Sequence, residues 1–464
     1  MVGTWANHWT DLHLDLAGTR VRAGLEAALR DAVRAGRLHP GTRLPPSRAL
    51  AADLGIARNT VAEAYGQLVA EGWLTARTGS GTWVTQHRAP AQRLSPAPSP
   101  EGTPLRYDLR PGVPDLSAFP RTDWLAAARK ALNAAPDRVL DYPDPRGLPQ
   151  LRAALADYLA RARGVAATPE RIVVCAGFAH GLALLCEVLR ARGERTMAVE
   201  AYGHQAHRRL IEAQGLRPAP LPVDAGGVVL DGLGEAAAAL LTPAHQFPLG
   251  VMLQPQRRRA AVEWAIETAG LVVEDDYDGE YRYDRHPVGA MQALAPDHIV
   301  YAGTTSKSLA PGLRLGWLVV PAHLRDEVVA AKEAAGGPSS ALDQLTLAEF
   351  ITSGGYDRQI RHTRLAYRRR RDRLTTALRR QAPQVRVTGI GAGLHALARL
   401  PDNRREDDVV ARAAQHGLAV EGLASYSATA DGHSPALVVG YARPPDHAFT
   451  TALARLCTVL TEGP

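Results

Sequence analysis

The 464 residues predict an α/β protein in two pieces. One is short, helical and closed by a β-hairpin; the other is long, with a large α/β lobe and a small α+β lobe. Three observations carry that expectation. At 464 residues and 46% apolar content, the chain is too long for one ordinary core and apolar enough for two. The stretch "HRAPAQRLSPAPSPEGTP" (87–104) is rich in Pro, Ala and Ser and poor in large apolar residues, as an interdomain linker is. Beyond it, segments of helical apolar spacing alternate with short apolar runs, the pattern of helices packed on a largely parallel sheet. The expected division is 10–85, a linker at 86–106, and 107–464, with lobes at about 140–325 and 326–464.

In the first piece, "AGTRVRAGLEAALRDAVRAG" has helical spacing and "GRLHPGTRLP" is a Gly/Pro turn. "SRALAADLG" reads as a second helix, with Ser47 as candidate N-cap and Gly55 as its stop. "ARNTVAEAYGQLVAEG" reads as a third, ending near Gly72, with Val61, Tyr65 and Leu68 facing inward and Glu63 and Gln67 facing away. "WLTAR" and "TWV" flank a glycine turn as a hairpin. In the second piece, "LPQLRAALADYLARA", "HGLALLCEVLRAR" and "RRRAAVEWAIETAG" read as helices. "RIVVC", "RTMAVE", "AALLTP", "LVVEDD" and "IVYAG" read as buried strands. After about residue 325 the helices lengthen, and "ALVVGYA" supplies a later strand.

Net charge is +7 with a pI near 9.5, and residues 1–90 hold ten arginines against seven acidic residues. That excess permits a polyanionic partner. Cys175, Cys186 and Cys457 have neither metal spacing nor an even count, which points to free thiols in a reducing cytoplasm. The N-terminus lacks the pattern of a signal peptide, and no apolar run is long enough to span a membrane. His13, His180 and His245 show no metal-ligand spacing, so no metal site is expected, although His245 and Gln246 could line a pocket.

Arg58, Asn59 and Thr60 open the third helix, where a major-groove reader needs polar side chains. Arg77, Thr78 and Ser80 surround the hairpin turn and could reach phosphate or minor groove as a wing, and Arg48 suits a backbone phosphate. The run from "GRLHPGTRLPPSRALAADLG" through "ARNTVAEAYGQLVAEGWLTARTGSGTWV" resembles the winged helix-turn-helix of the GntR family of transcription regulators. The resemblance implies binding to a double-stranded DNA operator.

The chain has three lysines, Lys130, Lys307 and Lys332, against 51 arginines. Lys307 sits in "GTTSKSLAPGLRLG", and a primary amine there can do chemistry that a guanidinium, always protonated, cannot. A pyridoxal cofactor also needs a carboxylate at its ring nitrogen and an anion site for its phosphate. "LVVEDDYDGEY" ends a strand in carboxylates, and "CAGFAHGL" is a strand, a glycine turn and a helix start. Thr304 precedes Lys307 by three residues, and Arg314 follows it by seven. This order resembles the fold-type I aminotransferases dependent on pyridoxal 5'-phosphate (PLP), over about 107–464. The resemblance implies an internal aldimine at Lys307, Asp275 paired with the pyridine nitrogen, and Tyr277 hydrogen-bonded to the ring oxygen. It gives the phosphate to Thr304, Ser306, Arg314 and the backbone of Gly177 and Phe178. His204 takes the place of the ring stacked on the cofactor, and Tyr142 that of the tyrosine reaching a neighbouring subunit's phosphate in such homodimers.

A GntR-type reader linked to an aminotransferase-like domain resembles the MocR/GabR regulators, as do "TPAHQFPLG" and "EDDYDGEYRY". Two departures bear on catalysis. Phe247 stands where many aminotransferases carry an asparagine that bonds the ring oxygen. Val438 aligns with an arginine that grips the substrate carboxylate, and Arg443 lies nearby but out of register. The expected function is a PLP-dependent transcription regulator sensing PLP or a small amine. The alternatives are an active aminotransferase with an appended reader, and a scaffold that only dimerises. "GIGAGLH" (389–395) reads as a turn in the small lobe, and "HTRLAYRRRRDRL" (362–374) as a solvated helix face.

Overall fold

The computed structural model describes residues 21–77, 80–85, 105–283, 288–337, 339–429 and 433–462. The segment expected as a linker (87–104), His13 and Thr78 lie outside the described residues. The chain divides into two compact units, Met1–Glu101 and Gly102–Pro464.

The first unit has helices α1 (Val21–Arg34), α2 (Ser47–Leu54) and α3 (Arg58–Ala70), then a hairpin of β1 (Leu74–Arg77) and β2 (Gly81–Val84). Leu25, Leu29, Leu50, Val61, Tyr65, Leu68, Leu74 and Val84 form one core, as the 3.6-residue spacing requires. Arg30 grips Glu71 with Nε and Nη2, both at 2.8 Å, tying α1 to the end of α3. Gly55, at φ 63°, stops α2 in the left-handed conformation that glycine adopts without strain. Ser47 is not the N-cap. Pro46 precedes the helix in an extended conformation, Ser47 is its first residue, and no side chain caps it.

The second unit is built on a seven-stranded sheet. Its strands are β3 (Ile172–Cys175), β4 (Thr196–Glu200), β5 (Arg217–Leu221), β6 (Ala238–Leu241), β7 (Leu271–Asp275), β8 (Ile299–Thr304) and β9 (Gly316–Val319), in the order β3-β9-β8-β7-β6-β4-β5. All neighbours run parallel except β9, which is antiparallel to both β8 and β3. Two strands escaped the sequence pattern. β9 begins at a glycine inside a turn-like run, and β5 carries Pro218 and Pro220, which only an edge strand tolerates. A four-stranded sheet, holding Arg386–Thr388, Ala396–Arg399, Glu421–Gly422 and Ala436–Val439, forms the small lobe.

The helix Arg325–Ala334 still packs Val328 and Ala331 into the core under the large sheet. Tyr107–Asp108 pairs with Leu418–Ala419, so the start of this unit reaches into the small-lobe region. The helix Gly355–Gln381 shows most of its arginines to solvent, but Arg370 is buried and bonded to Asp115 at 2.8 Å. A wholly solvated face is therefore corrected at that residue: Arg370 fills the gap between the helix and the Asp115 turn.

Candidate functional site

Strand ends assemble the site. β7 ends at Asp275, β8 ends at Thr304, and Ser306 and Lys307 follow directly. These are carboxyl ends of parallel strands, where α/β sheets open a crevice for ligands. The helix Phe178–Ala191 starts just past β3 and adds its N-terminus. The result is one cavity of about 270 Å³. Its wall includes Lys307, Asp275, Tyr277, Thr304, Ser306, Arg314, Gly177, Phe178 and His204, brought together from four stretches of chain. Tyr142 is not among them: it stands on the surface, 95% exposed.

The anion end is built from donors. Thr304 Oγ1 and Ser306 Oγ lie 2.9 Å apart, and Gly177 and Phe178, at the start of a helix, line the same cavity. His180 Nδ1 accepts the Ala176 amide at 3.0 Å, which holds the glycine turn. A Cβ on Gly177, whose φ is 87°, would sit 3.7 Å from Arg314 Nη1. Among the described residues Arg314 has no carboxylate partner, so its charge is available to an anion.

The other end holds Lys307 and Asp275. Lys307 Nζ donates to the Gly112 carbonyl at 2.6 Å, a contact that nothing in the sequence pattern marked. Burial lowers the pKa of this amine, against the pull of Asp275 and Asp278. Burial drives Asp275 well above the usual carboxylate range, with Lys307 opposing. Asp275 Oδ1 is buried with no hydrogen-bond partner. Such a group is costly unless a ligand completes it, and a protonated ring nitrogen would do so. Burial first, and then the nearby basic groups (His207, Lys307 and Arg208 for His204, Lys307 and Arg208 for His207), holds the two rings down to about 3 and about 4, which favours the neutral form that stacks.

Around this wall lies a shell of buried acids. Asp276 points away from Asp275 by strand alternation and takes Arg163 at 2.6 and 3.0 Å, with Tyr301 donating at 2.8 Å. Glu274, on that same face, accepts the amides of Met291 and Gln292. Glu200 lines the cavity, and burial pushes it up to about 7 despite hydrogen bonds from Thr242 and Gln246. A carboxyl raised on folding stabilises the fold below its unfolded pKa and loses that contribution as pH climbs through the folded value. Glu200→Gln is therefore expected to remove about 3 kcal/mol of pH dependence between about pH 4.5 and about pH 7. Urea titrations of the cofactor-free protein at both ends would show it.

The two departures also have structures. Phe247 is 5% exposed and stacks on His204, with ring centroids 4.1 Å apart. Val438 is fully buried in an apolar cluster with Phe247 and Tyr426. Arg443 is engaged elsewhere: its Nε is 2.9 Å from Asp108, which Arg110 also grips. His245, Asp278 and His395, from three separate stretches, bring ligand-type atoms within 4.8 Å of one another. Sequence spacing could not have shown this.

In the first unit, Arg48, Arg58 and Asn59 are exposed and Thr60 half-buried at the helix starts, and Arg77 and Ser80 are exposed on the hairpin. Among the described residues, no acid pairs with Arg48, Arg58 or Arg77, whereas Arg22 and Arg30 of α1 are paired.

Residues 112–432 match the family model for aminotransferase class I and II, and residues 22–84 match that for bacterial regulatory proteins of the gntR family. The chain is 33% identical over 449 residues to the HTH-type pyridoxine biosynthesis transcriptional regulator PdxR of Corynebacterium glutamicum, covering 96% of this chain and 97% of that one. It is 34% identical over 410 residues to the probable rhizopine catabolism regulatory protein MocR of Rhizobium meliloti, covering 83% of each. An archaeal alanine:glyoxylate aminotransferase structure shares the fold, with a TM-score of 0.70 at 24% identity over 77% of this chain and 91% of that one. The chain therefore belongs to the MocR-type helix-turn-helix transcription regulators, in which a gntR-family reader is joined to an aminotransferase-like domain.

Proposed function

We propose that this regulator senses pyridoxal 5'-phosphate, held covalently by Lys307. The observation that carries the reading is the buried, unpartnered Asp275 Oδ1 in the same cavity as the Lys307 amine and an unneutralised Arg314. Bound there, the cofactor supplies an aldehyde for the amine and a protonated ring nitrogen for Asp275. Thr304, Ser306, Arg314 and the Gly177–Phe178 amides would hold its phosphate, and His204 would stack on its ring. Tyr142, exposed on this chain, would serve a partner's site in a homodimer.

PLP itself is favoured over an α-amino acid as effector, because Val438 cannot grip a carboxylate and Arg443 is engaged by Asp108. The PdxR relative regulates pyridoxine biosynthesis, and this chain is assigned the same class of target. Turnover as an aminotransferase is disfavoured on those grounds. The test is the absorption of the purified protein with added PLP, followed by operator binding with and without it. A visible band abolished by borohydride, together with a PLP-dependent change in operator affinity, is expected. No band, or sustained transamination of amino acids, would refute the reading.

On the DNA side, Arg48 would contact backbone, Arg58, Asn59 and Thr60 would face base edges in the major groove, and Arg77, Thr78 and Ser80 would reach phosphate or the minor groove. Each neutralised phosphate contributes about −0.9 to the slope of log affinity against log salt. Arg48→Ala is expected to reduce that slope by about 1 and weaken all sequences alike, as measured by fluorescence anisotropy across a salt series.

A further inference from the structure

The helix Gly355–Gln381 carries ten arginines against two aspartates over 27 residues, about 40 Å of rise. Its inward face is accounted for: Tyr356, Ile360, Tyr367, Leu374 and Leu378 are buried in the core, and Arg370 bonds Asp115. Its outward face has no such account. Arg358, Arg361, Arg368, Arg369, Arg379 and Arg380 are all exposed, and the 3.6-residue turn sets them along one side of the helix. From Arg358 to Arg380 the row is about 33 Å long. Asp357, the acid of the first turn, is taken by Arg161 at 2.7 Å.

A solvated face needs only to be polar, and this one works against its own helix. Arg358 and Arg361 stand toward the positive N-terminal end of the macrodipole, where an acid is the favoured residue. Arg361 is three residues from both Arg358 and Arg364, and Arg369 four from Arg373, so like charges repel along the row. Among the described residues none of the six is paired with an acid, whereas Arg161 and Arg192, also exposed, pair with Asp357 and Glu327. Arg379 and Arg380, in the last turn, are the two that the macrodipole alone explains. Arg373 leans on Phe449 and donates to Thr450, so it belongs to the body of the unit.

We propose that this face is a second DNA contact, which takes the sugar-phosphate backbone of duplex beside the stretch held by the gntR-family reader. The inference rests on the reader binding DNA. Duplex presents one charge per about 1.7 Å of its axis, and a row of about 33 Å spans nearly one turn. Guanidinium grips phosphate with two parallel N–H groups, and a row of unpaired arginines offers that grip repeatedly. Two arguments favour duplex over an anionic membrane. DNA held by the reader brings its flanking phosphates to high effective concentration at other faces of the same chain. A helix lying on a membrane needs its apolar face for lipid, and here that face is already buried in the core. Backbone contacts add affinity and read no sequence, so the reader keeps the choice of operator.

The experiment titrates full-length protein into a fluorescein-labelled duplex of mixed sequence, several turns long, across a salt series. Arg361→Gln/Arg368→Gln/Arg369→Gln is expected to reduce the slope of log affinity against log salt by about 2–3, at about 0.9 per phosphate, and to weaken binding about tenfold or more. The same three positions changed to lysine keep the charge and should keep most of the slope. Circular dichroism reads the fold, which glutamine should preserve, since its helix propensity is close to that of arginine. If the triple variant does not fold, Arg368→Gln alone decides, with an expected fall of about 1. Arg209→Gln/Arg217→Gln/Arg259→Gln removes equal charge from exposed positions elsewhere and should change the slope by less than about 1. A helix variant that binds like wild type overturns the proposal, and so does a control that loses as much. A helix variant that loses binding only to vesicles of anionic lipid gives the face to a membrane instead. The reader is tested apart by Arg48→Ala/Arg58→Ala/Arg77→Ala, which should weaken binding and leave the helix-dependent part of the slope. A reader variant without effect sinks the reader and not the helix, and a wild-type chain that binds no duplex sinks both.

Discussion

Lys307→Ala and Lys307→Arg should both lose all borohydride-stable cofactor, with the fold kept. Guanidinium stays protonated and cannot attack an aldehyde, so arginine at 307 fills the place without the chemistry. No other lysine can take over. Lys130 is a surface residue paired with Glu349 at 2.8 Å. Lys332 is fully buried, its amine tied to the carbonyls of Pro145 and Val174. Intact mass after borohydride treatment would read the adduct, and circular dichroism the fold. The wild-type chain gains the mass of one cofactor and the variants gain none. An adduct that persists in Lys307→Ala would move the chemistry to another amine.

Arg163→Met should destabilise the second unit by about 3–5 kcal/mol, because it strands a buried carboxylate. The side chains of Arg163 and Asp276 are 5% and 1% exposed, with bonds at 2.6 and 3.0 Å. Asp276 stands among other buried acids: Glu274 and Glu280 are each pushed up to about 7, by burial first and by Asp276 next. Without the guanidinium, that cluster has lost its nearest cation. The urea midpoint should fall sharply, and Arg163→Met/Asp276→Asn should recover much of the loss, since removing both charges leaves neither unpaired. Gly279→Ala should mimic the single variant: a Cβ there would lie 2.2 Å from Asp276 Oδ1 and 2.5 Å from Arg163 Nη2. A midpoint unmoved by Arg163→Met would mean the pair contributes little.

These two results address different layers of one site. The motif "GTTSK" and the carboxylates of "EDDYD" were legible because chemistry demands those residue types close together in the chain. Alternation along β7 explains why, of two adjacent aspartates, Asp275 faces the cavity and Asp276 the core. Apolar periodicity marked most strands and the three helices of the reader, because burial imposes it. It missed β5 and β9, where prolines and glycines hide the strand signal. It misplaced the α2 cap, where Pro46 holds the position just before the helix.

By itself the sequence carried the two-piece plan and the reader in its local spacing, and through its resemblance to the fold-type I aminotransferases it named the residues proposed to meet a pyridoxal cofactor. The tertiary structure alone decided who faces whom. It set Gly112 against Lys307, joined Arg163 to Asp276 across 113 residues, and closed the Gly393 loop over His245 and Asp278. The physical reason is range. Periodicity records which face of an element is buried, whereas the partner of a buried charge is chosen by packing between elements far apart in the chain.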